Sequence, residues 1–123
     1  MLELQPDNAQ ILNNLAWTAT QIKDPSALEY AEKANRLSPD NPVFLDTLAL
    51  ALAEGGNAKK AVETERRAME LAKQSPPLRL NLAKILIKAG DKSQAKLELD
   101  ELAKLGDKFA GQAEVSSLLR DLK

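Results

Sequence analysis

The 123-residue sequence predicts an all-α fold, a linear array of helix-turn-helix units closed by a C-terminal capping helix. Three observations lead there. Leu, Ala and Lys dominate, β-branched residues are few, and the aromatics are only Trp17, Tyr30, Phe44 and Phe109, a composition of strong helix formers. Residue types recur at a spacing of 33 or 34: Ala27, Ala61 and Ala95; Ala34 and Ala68; Leu15, Leu48 and Leu82; Gly56 and Gly90. Within each period, apolar residues fall at helical spacing on one face.

The elements follow in chain order. Leu12, Leu15, Ala16 and Ala19 make the apolar stripe of a first helix, as expected for a helix buried on one side. Asp24-Pro25 ends it and opens a second helix that carries Ala27 and Ala34. The first unit is one residue short, and the missing residue falls between Ala16 and Ala27. Asn41-Pro42 starts the next unit, a capping side chain before a first-turn proline whose missing N–H costs nothing. Its stripe is Leu45, Leu48, Ala49 and Leu52; Gly55-Gly56-Asn57 stops it and caps a helix with Ala61 and Ala68. Ser75-Pro76 repeats the start signal, Leu78, Leu82, Ala83 and Leu86 the stripe, and Gly90-Asp91 the inner turn before Ala95. The units are 9–41, 42–75 and 76–108, inside a single domain of 1–123. The recurring alanines read as close helix packing. On the outer helices, Glu29 with Lys33, Glu32 with Arg36, Glu63 with Arg67 and Asp100 with Lys104 are spaced to pair across one turn. Residues 109–123 leave the period; an amphipathic helix from about Gln112, with Ala113, Leu118, Leu119 and Leu122 as apolar members, reads as the cap that an array needs over its last open face.

The net charge is −1 with acids and bases intermixed, which argues against a footprint for nucleic acid or an anionic membrane. No Cys and no His are present; this excludes disulfides, thiolate nucleophiles, Cys/His zinc sites and a His-based triad. No EF-hand spacing of acids is present, and Asp7, Asp40 and Asp91 read as helix-entry residues. No metal or cofactor is expected. No stretch is apolar for long enough to span a bilayer, and the N-terminus, polar by residue 7, reads as no signal peptide. The composition suits cytoplasm and bacterial periplasm or cell envelope equally.

The period of 34, Leu-Ala in the first helix, Gly-Asp or Gly-Asn at the inner turn, paired alanines in the second helix and a closing Pro together resemble the tetratricopeptide repeat (TPR) family. The departures are Leu102 at the second small-residue position and Lys73 at the closing Pro. More finely, "LNNLAW", "DPSALEYAEKA" and "PDNPVFLDTLALAL" are similar to the C-terminal region of bacterial TPR lipoproteins of the PEP-CTERM and exopolysaccharide export type. The family resemblance implies a right-handed superhelix whose first helices line a concave groove for a partner. Carried over by register, it implies groove positions Asn13, Trp17, Thr20 and Gln21 in the first unit, Asp46, Leu50 and Glu54 in the second, and Leu80, Lys84, Ile87 and Lys88 in the third.

That mixed face suits an amphipathic peptide or helix of a partner protein. Trp17 is its sharpest member, as a ligand contact or as packing between units. One TPR subtype grips the C-terminal carboxylate of chaperones through Lys, Asn and Arg; here the matching places hold Asn13, Trp17, Pro77 and Asn81, so no chaperone-tail binding is expected. Asp46 and Glu54 could share the groove as two carboxylates, yet an open groove lacks the closed, desolvated pocket that acid/base work needs. The expected function is a non-enzymatic protein-interaction scaffold or adaptor. The alternatives are a self-associating structural module and a regulatory appendage of a larger export or envelope machine. Finally, the opening "MLELQPDN" matches "ANRLSPDN" at 34–41. Residues 1–8 therefore read as the tail of an upstream repeat in a longer protein, which would leave an N-terminal face open to homo-oligomers.

Overall fold

The computed structural model describes residues 8–73 and 75–122. Its helices are α1 (Ala9–Gln21), α2 (Ser26–Leu37), α3 (Pro42–Glu54), α4 (Ala58–Leu71), α5 (Pro76–Lys88), α6 (Lys92–Ala103) and α7 (Gln112–Asp121), with a 3-10 turn at Gly106–Lys108 before α7. Among the described residues there is no strand. The "MLELQPD" of the opening phrase lies outside them.

Short polar side chains start most of these helices by accepting from otherwise unpaired N–H groups. Asn8 Oδ1 accepts from Gln10 N at 2.8 Å and Ile11 N at 3.2 Å. Asn41 does the same for Val43 N at 2.9 Å and Phe44 N at 3.3 Å. Asn57 accepts from Lys60 N and Asp91 from Gln94 N. Ser75 departs from expectation, since its side chain makes no capping bond. Pro77 in the first turn of α5 removes one of the two donors that a capping side chain normally meets.

The inner turns share one geometry. Asp24 N donates to Ala19 O at 2.8 Å, Asn57 N to Leu52 O at 2.9 Å and Asp91 N to Leu86 O at 2.9 Å. This six-to-one closure demands a left-handed residue just before the donor. Gly56 (φ 92) and Gly90 (φ 84) supply it in two turns, and Lys23 (φ 60) in the first. The missing residue of the first unit also shows here. Ala27 N donates to Asp24 O, three residues back, whereas Ala61 N and Ala95 N reach Asn57 O and Asp91 O, four back.

Each helix packs on its hairpin partner, α1 on α2, α3 on α4 and α5 on α6. Successive hairpins then stack through α2 on α3 and α4 on α5. The contacts α1–α3 and α3–α5 set the first helices side by side as one layer. Alanines at the crossings (Ala16, Ala34, Ala49, Ala61, Ala68, Ala83 and Ala95) are buried with no side chain beyond Cβ to hold the axes apart. Leu15 differs from its register mates. It is exposed, while Leu82 is sealed against Met69 and Leu48 packs between two core clusters. Leu48 and Leu82 each have a preceding hairpin against them.

At the C-terminal end, α7 lies on α6. Val115 is its buried anchor, while Ala113, expected among the apolar members, is exposed. Leu102 fills the space where α7 meets α6, in one cluster with Leu80, Leu99 and Val115. Its size follows from that packing. Gln112 Nε2 pins the entry to α7 by donating to Leu102 O at 2.7 Å and Gly106 O at 3.1 Å. Two of the expected one-turn ion pairs take other partners. Arg67 bonds Asp40 at 2.8 Å, Lys104 bonds Glu101 at 2.9 Å, and Asp100 receives Lys96 at 3.0 Å.

Candidate functional site: the groove of the first helices

The layer formed by α1, α3 and α5 carries an open cavity of about 440 Å³. Because these helices run side by side, residues at their C-terminal halves converge. Trp17, Thr20 and Gln21 come from α1, Leu50 and Glu54 from α3, Lys84 and Lys88 from α5; all seven line the cavity. Lys23, Ala53, Asn81 and Ile85 line it too, and none of these four stands among the positions carried over by register. Lys23 enters because the left-handed turn after α1 points back over the groove. Asn81, inside α5, is held there by its bonds to Asp46 of α3.

Four of the expected positions lie elsewhere. Asn13 is buried, its Oδ1 without a partner among the described residues. Leu80 is core rather than surface, because α7 covers that end of α5. Ile87 faces the Leu82–Leu86–Met69 cluster. Asp46 is half-buried beside the cavity and accepts from Asn81 Nδ2 on both oxygens, at 3.0 and 3.2 Å.

The cavity is amphipathic. Trp17 is 50% exposed and faces the same space as Leu50 and Ile85. Glu54 is held between Lys23 at 4.0 Å and Lys88 at 3.7 Å. Lys84 reaches Glu114 of α7 at 2.6 Å. Three lysines against one glutamate leave the lining cationic. Such exposed pairs are worth little by themselves, so they can exchange for a partner's charges at low cost.

Beneath the groove sits a residue that register did not single out. Glu65 of α4 is completely buried, and among the described residues neither carboxyl oxygen meets a hydrogen-bond donor. Burial, followed by the hydrogen bond and charge of Asp46, pushes its pKa up to about 10. Asp46 is also raised, first by burial, against the pull of its bonds to Glu65 and Asn81 and of the Lys84 charge. The signal was present in the sequence: Glu65 occupies the place held by Ala31 and Leu99 in the neighbouring units.

Among the described residues, no helix is long and apolar enough to cross a membrane. Residues 65–122 match a family model described as Tetratricopeptide repeat. No curated protein sequence matches the chain significantly, and the finer likeness to export-type lipoproteins finds no support. Among solved structures, the chain is similar to the Yersinia enterocolitica type III secretion translocator chaperone SycD in an alternative dimer. The match has 20% identity and a TM-score of 0.78, covering 98% of this chain and 95% of that one. A second structure of that chaperone, in complex with a peptide of the translocator YopD, matches at 18% identity and TM-score 0.77, with coverage of 98% and 95%.

Proposed function

On the premise that this chain belongs to the tetratricopeptide repeat family, we propose that it is a protein-interaction scaffold whose α1–α3–α5 groove holds a segment of a partner protein. The units are 9–41, 42–75 and 76–108, with 109–123 as the cap. The observation that carries this reading is Trp17, half exposed over a cavity that Leu50 and Ile85 line and three lysines rim. A large aromatic beside aliphatic floor and charged rim is the anatomy of a peptide-binding hot spot. Support by analogy comes from the similar chaperone fold that was solved with a peptide bound. In this reading the site serves recognition and no reaction: Glu54 lies between two lysines in an open groove, without the closed, desolvated pocket that acid/base work needs.

Trp17 is the chain's only tryptophan, so its fluorescence reports groove occupancy. Peptides selected from a random library on the immobilised chain should shift that emission to the blue. Trp17→Ala and Lys84→Glu should each weaken their capture at least tenfold. Binders that leave the emission unchanged and survive both substitutions would place recognition elsewhere.

A second reading, self-association, is favoured by one observation. Ile11 and Leu15 of α1 and Ile22 at its C-terminal cap are exposed along one stripe. Phe44 and Leu48, at the places of Ile11 and Leu15 on α3, pack against α2 residues. Light scattering over a concentration series separates the two: a mass that doubles with concentration for the native chain but not for Leu15→Glu supports a dimer through α1.

A further inference from the structure

Asn13, Asp46 and Leu80 hold one place in the three first helices, and Ala31, Glu65 and Leu99 hold one place in the three second helices. In the third hairpin the two places are filled by Leu80 and Leu99, which share an apolar cluster. In the middle hairpin the same two places hold carboxyl groups. Glu65 is 0% exposed and, among the described residues, no donor reaches its oxygens. Asp46, its partner across the hairpin, is already bonded by Asn81 from the next one.

An ionised carboxylate without donors or water is expensive to bury, and a second carboxylate beside it adds repulsion. A neutral Glu65 removes both costs and provides the donor, because its O–H can donate to the Asp46 carboxylate. The bonds then run from Glu65 to Asp46 and from Asn81 to Asp46, joining α4, α3 and α5.

We infer that Glu65 keeps its proton in the folded chain and that this shared proton joins α4 to α3 within the second hairpin, beside the Asn81 bond that ties Asp46 to the third, making the array sensitive to alkaline pH. The charged groups acting on the pair agree with this placement. Asp46 faces Glu65 from α3, and Lys84 of α5 favours the ionised form of Asp46 rather than of Glu65. Arg66, the neighbour of Glu65 on α4, reaches Glu98 at 3.9 Å, and Arg79 of α5 also bonds Glu98.

The direction of the pH effect follows. Below the ordinary glutamate value of 4.5, folded and unfolded chains both hold the proton, and the stability linked to Glu65 is complete. Above it the unfolded chain releases the proton while the folded chain retains it. Stability therefore falls steadily until pH approaches about 10, where the folded Glu65 would ionise as well. One proton in this window raises the unfolding constant about tenfold per pH unit. Since Asn81 also lines the groove, the lock sets one groove wall. That consequence rests on the groove reading, whereas the proton lock does not.

The test needs no partner. Urea unfolding of the full chain is compared with that of Glu65→Gln, which keeps shape and donor but cannot titrate, across neutral to alkaline pH. The ratio of the two unfolding constants should change about tenfold per pH unit. Identical pH dependence in both proteins would overturn the inference. The Glu65 carboxyl carbon, followed by NMR in the native chain, gives a readout that does not require the variant to fold. It should stay protonated through neutrality, and a titration midpoint near the ordinary glutamate value would equally overturn the inference.

Discussion

Replacing Lys23 by glycine should stabilise this protein, although it deletes a charged side chain from the groove rim. Lys23 occupies the left-handed position of the first inner turn at φ 60, the place that Gly56 and Gly90 hold in the other two. A residue with a Cβ pays about 1–2 kcal/mol there. Glycine removes that cost but returns about 0.5–1 kcal/mol of backbone freedom to the unfolded chain. The balance favours Lys23→Gly by about 0.5–1 kcal/mol. The ion pair lost is small: Lys23 Nζ lies 4.0 Å from Glu54 and its side chain is 77% exposed, so it subtracts at most a few tenths, about 0.2 kcal/mol. Urea unfolding followed by helical circular dichroism should show a higher midpoint at unchanged slope, and heating a Tm raised by roughly 2–5 °C. Lys23→Ala keeps the Cβ and should gain nothing. If Lys23→Gly is no more stable than the native chain, or if Lys23→Ala matches it, no strain is stored in this turn.

Three further substitutions test other parts of the structure. Leu102→Ala should cost about 3–5 kcal/mol in chemical denaturation, as for a fully buried leucine; a loss below about 1 kcal/mol would mean that α7 is not what requires bulk where Ala34 and Ala68 suffice. Asn41→Ala should cost about 1 kcal/mol through the lost cap of α3, while Ser75→Ala, at a side chain that caps nothing, should be near neutral; equal losses by thermal melting would contradict the difference between the two helix starts. Asp46→Leu with Glu65→Leu copies Leu80 and Leu99 into the middle hairpin and should stabilise the chain at neutral pH by about 1–4 kcal/mol, read as a higher urea midpoint. A double variant less stable than the native chain would show that the carboxyl pair contributes more than its burial costs.

The groove is better defined by its members than by any one interaction. Trp17 and Leu50 offer apolar contact, while Glu54, Lys84 and Lys88 are engaged in exposed ion pairs that a ligand can replace. Lys84 is the most informative of these. Its partner, Glu114, comes from the cap, so the carboxylate on Lys84 occupies the place that an acidic side chain of a bound segment would take.

The sequence by itself determined the parts of this protein that depend on neighbours a few residues away. The helix starts at Asn41, Asn57 and Asp91, the glycine turns at Gly56 and Gly90, the alanine crossings and the one-residue slip before Ala27 all follow from local hydrogen bonding, backbone conformation and periodicity. Helical register likewise sets Trp17, Thr20, Gln21, Leu50, Glu54, Lys84 and Lys88 on one face of the first helices, and these seven line one cavity. Only the tertiary structure decided what each direction meets. Leu15 and Leu82 hold one register place, but Leu82 is sealed against Met69 while Leu15 is exposed. Leu80 holds the place of Asp46, yet α7 turns it into core. Lys23 stands in for a glycine without any local mark of doing so, since sequence alone does not reveal a backbone angle. Glu65 looks like one more acid on a charged helix until α3 and α5 close around it. A periodic chain specifies equivalent positions, and the packing of unlike neighbours makes those positions chemically different.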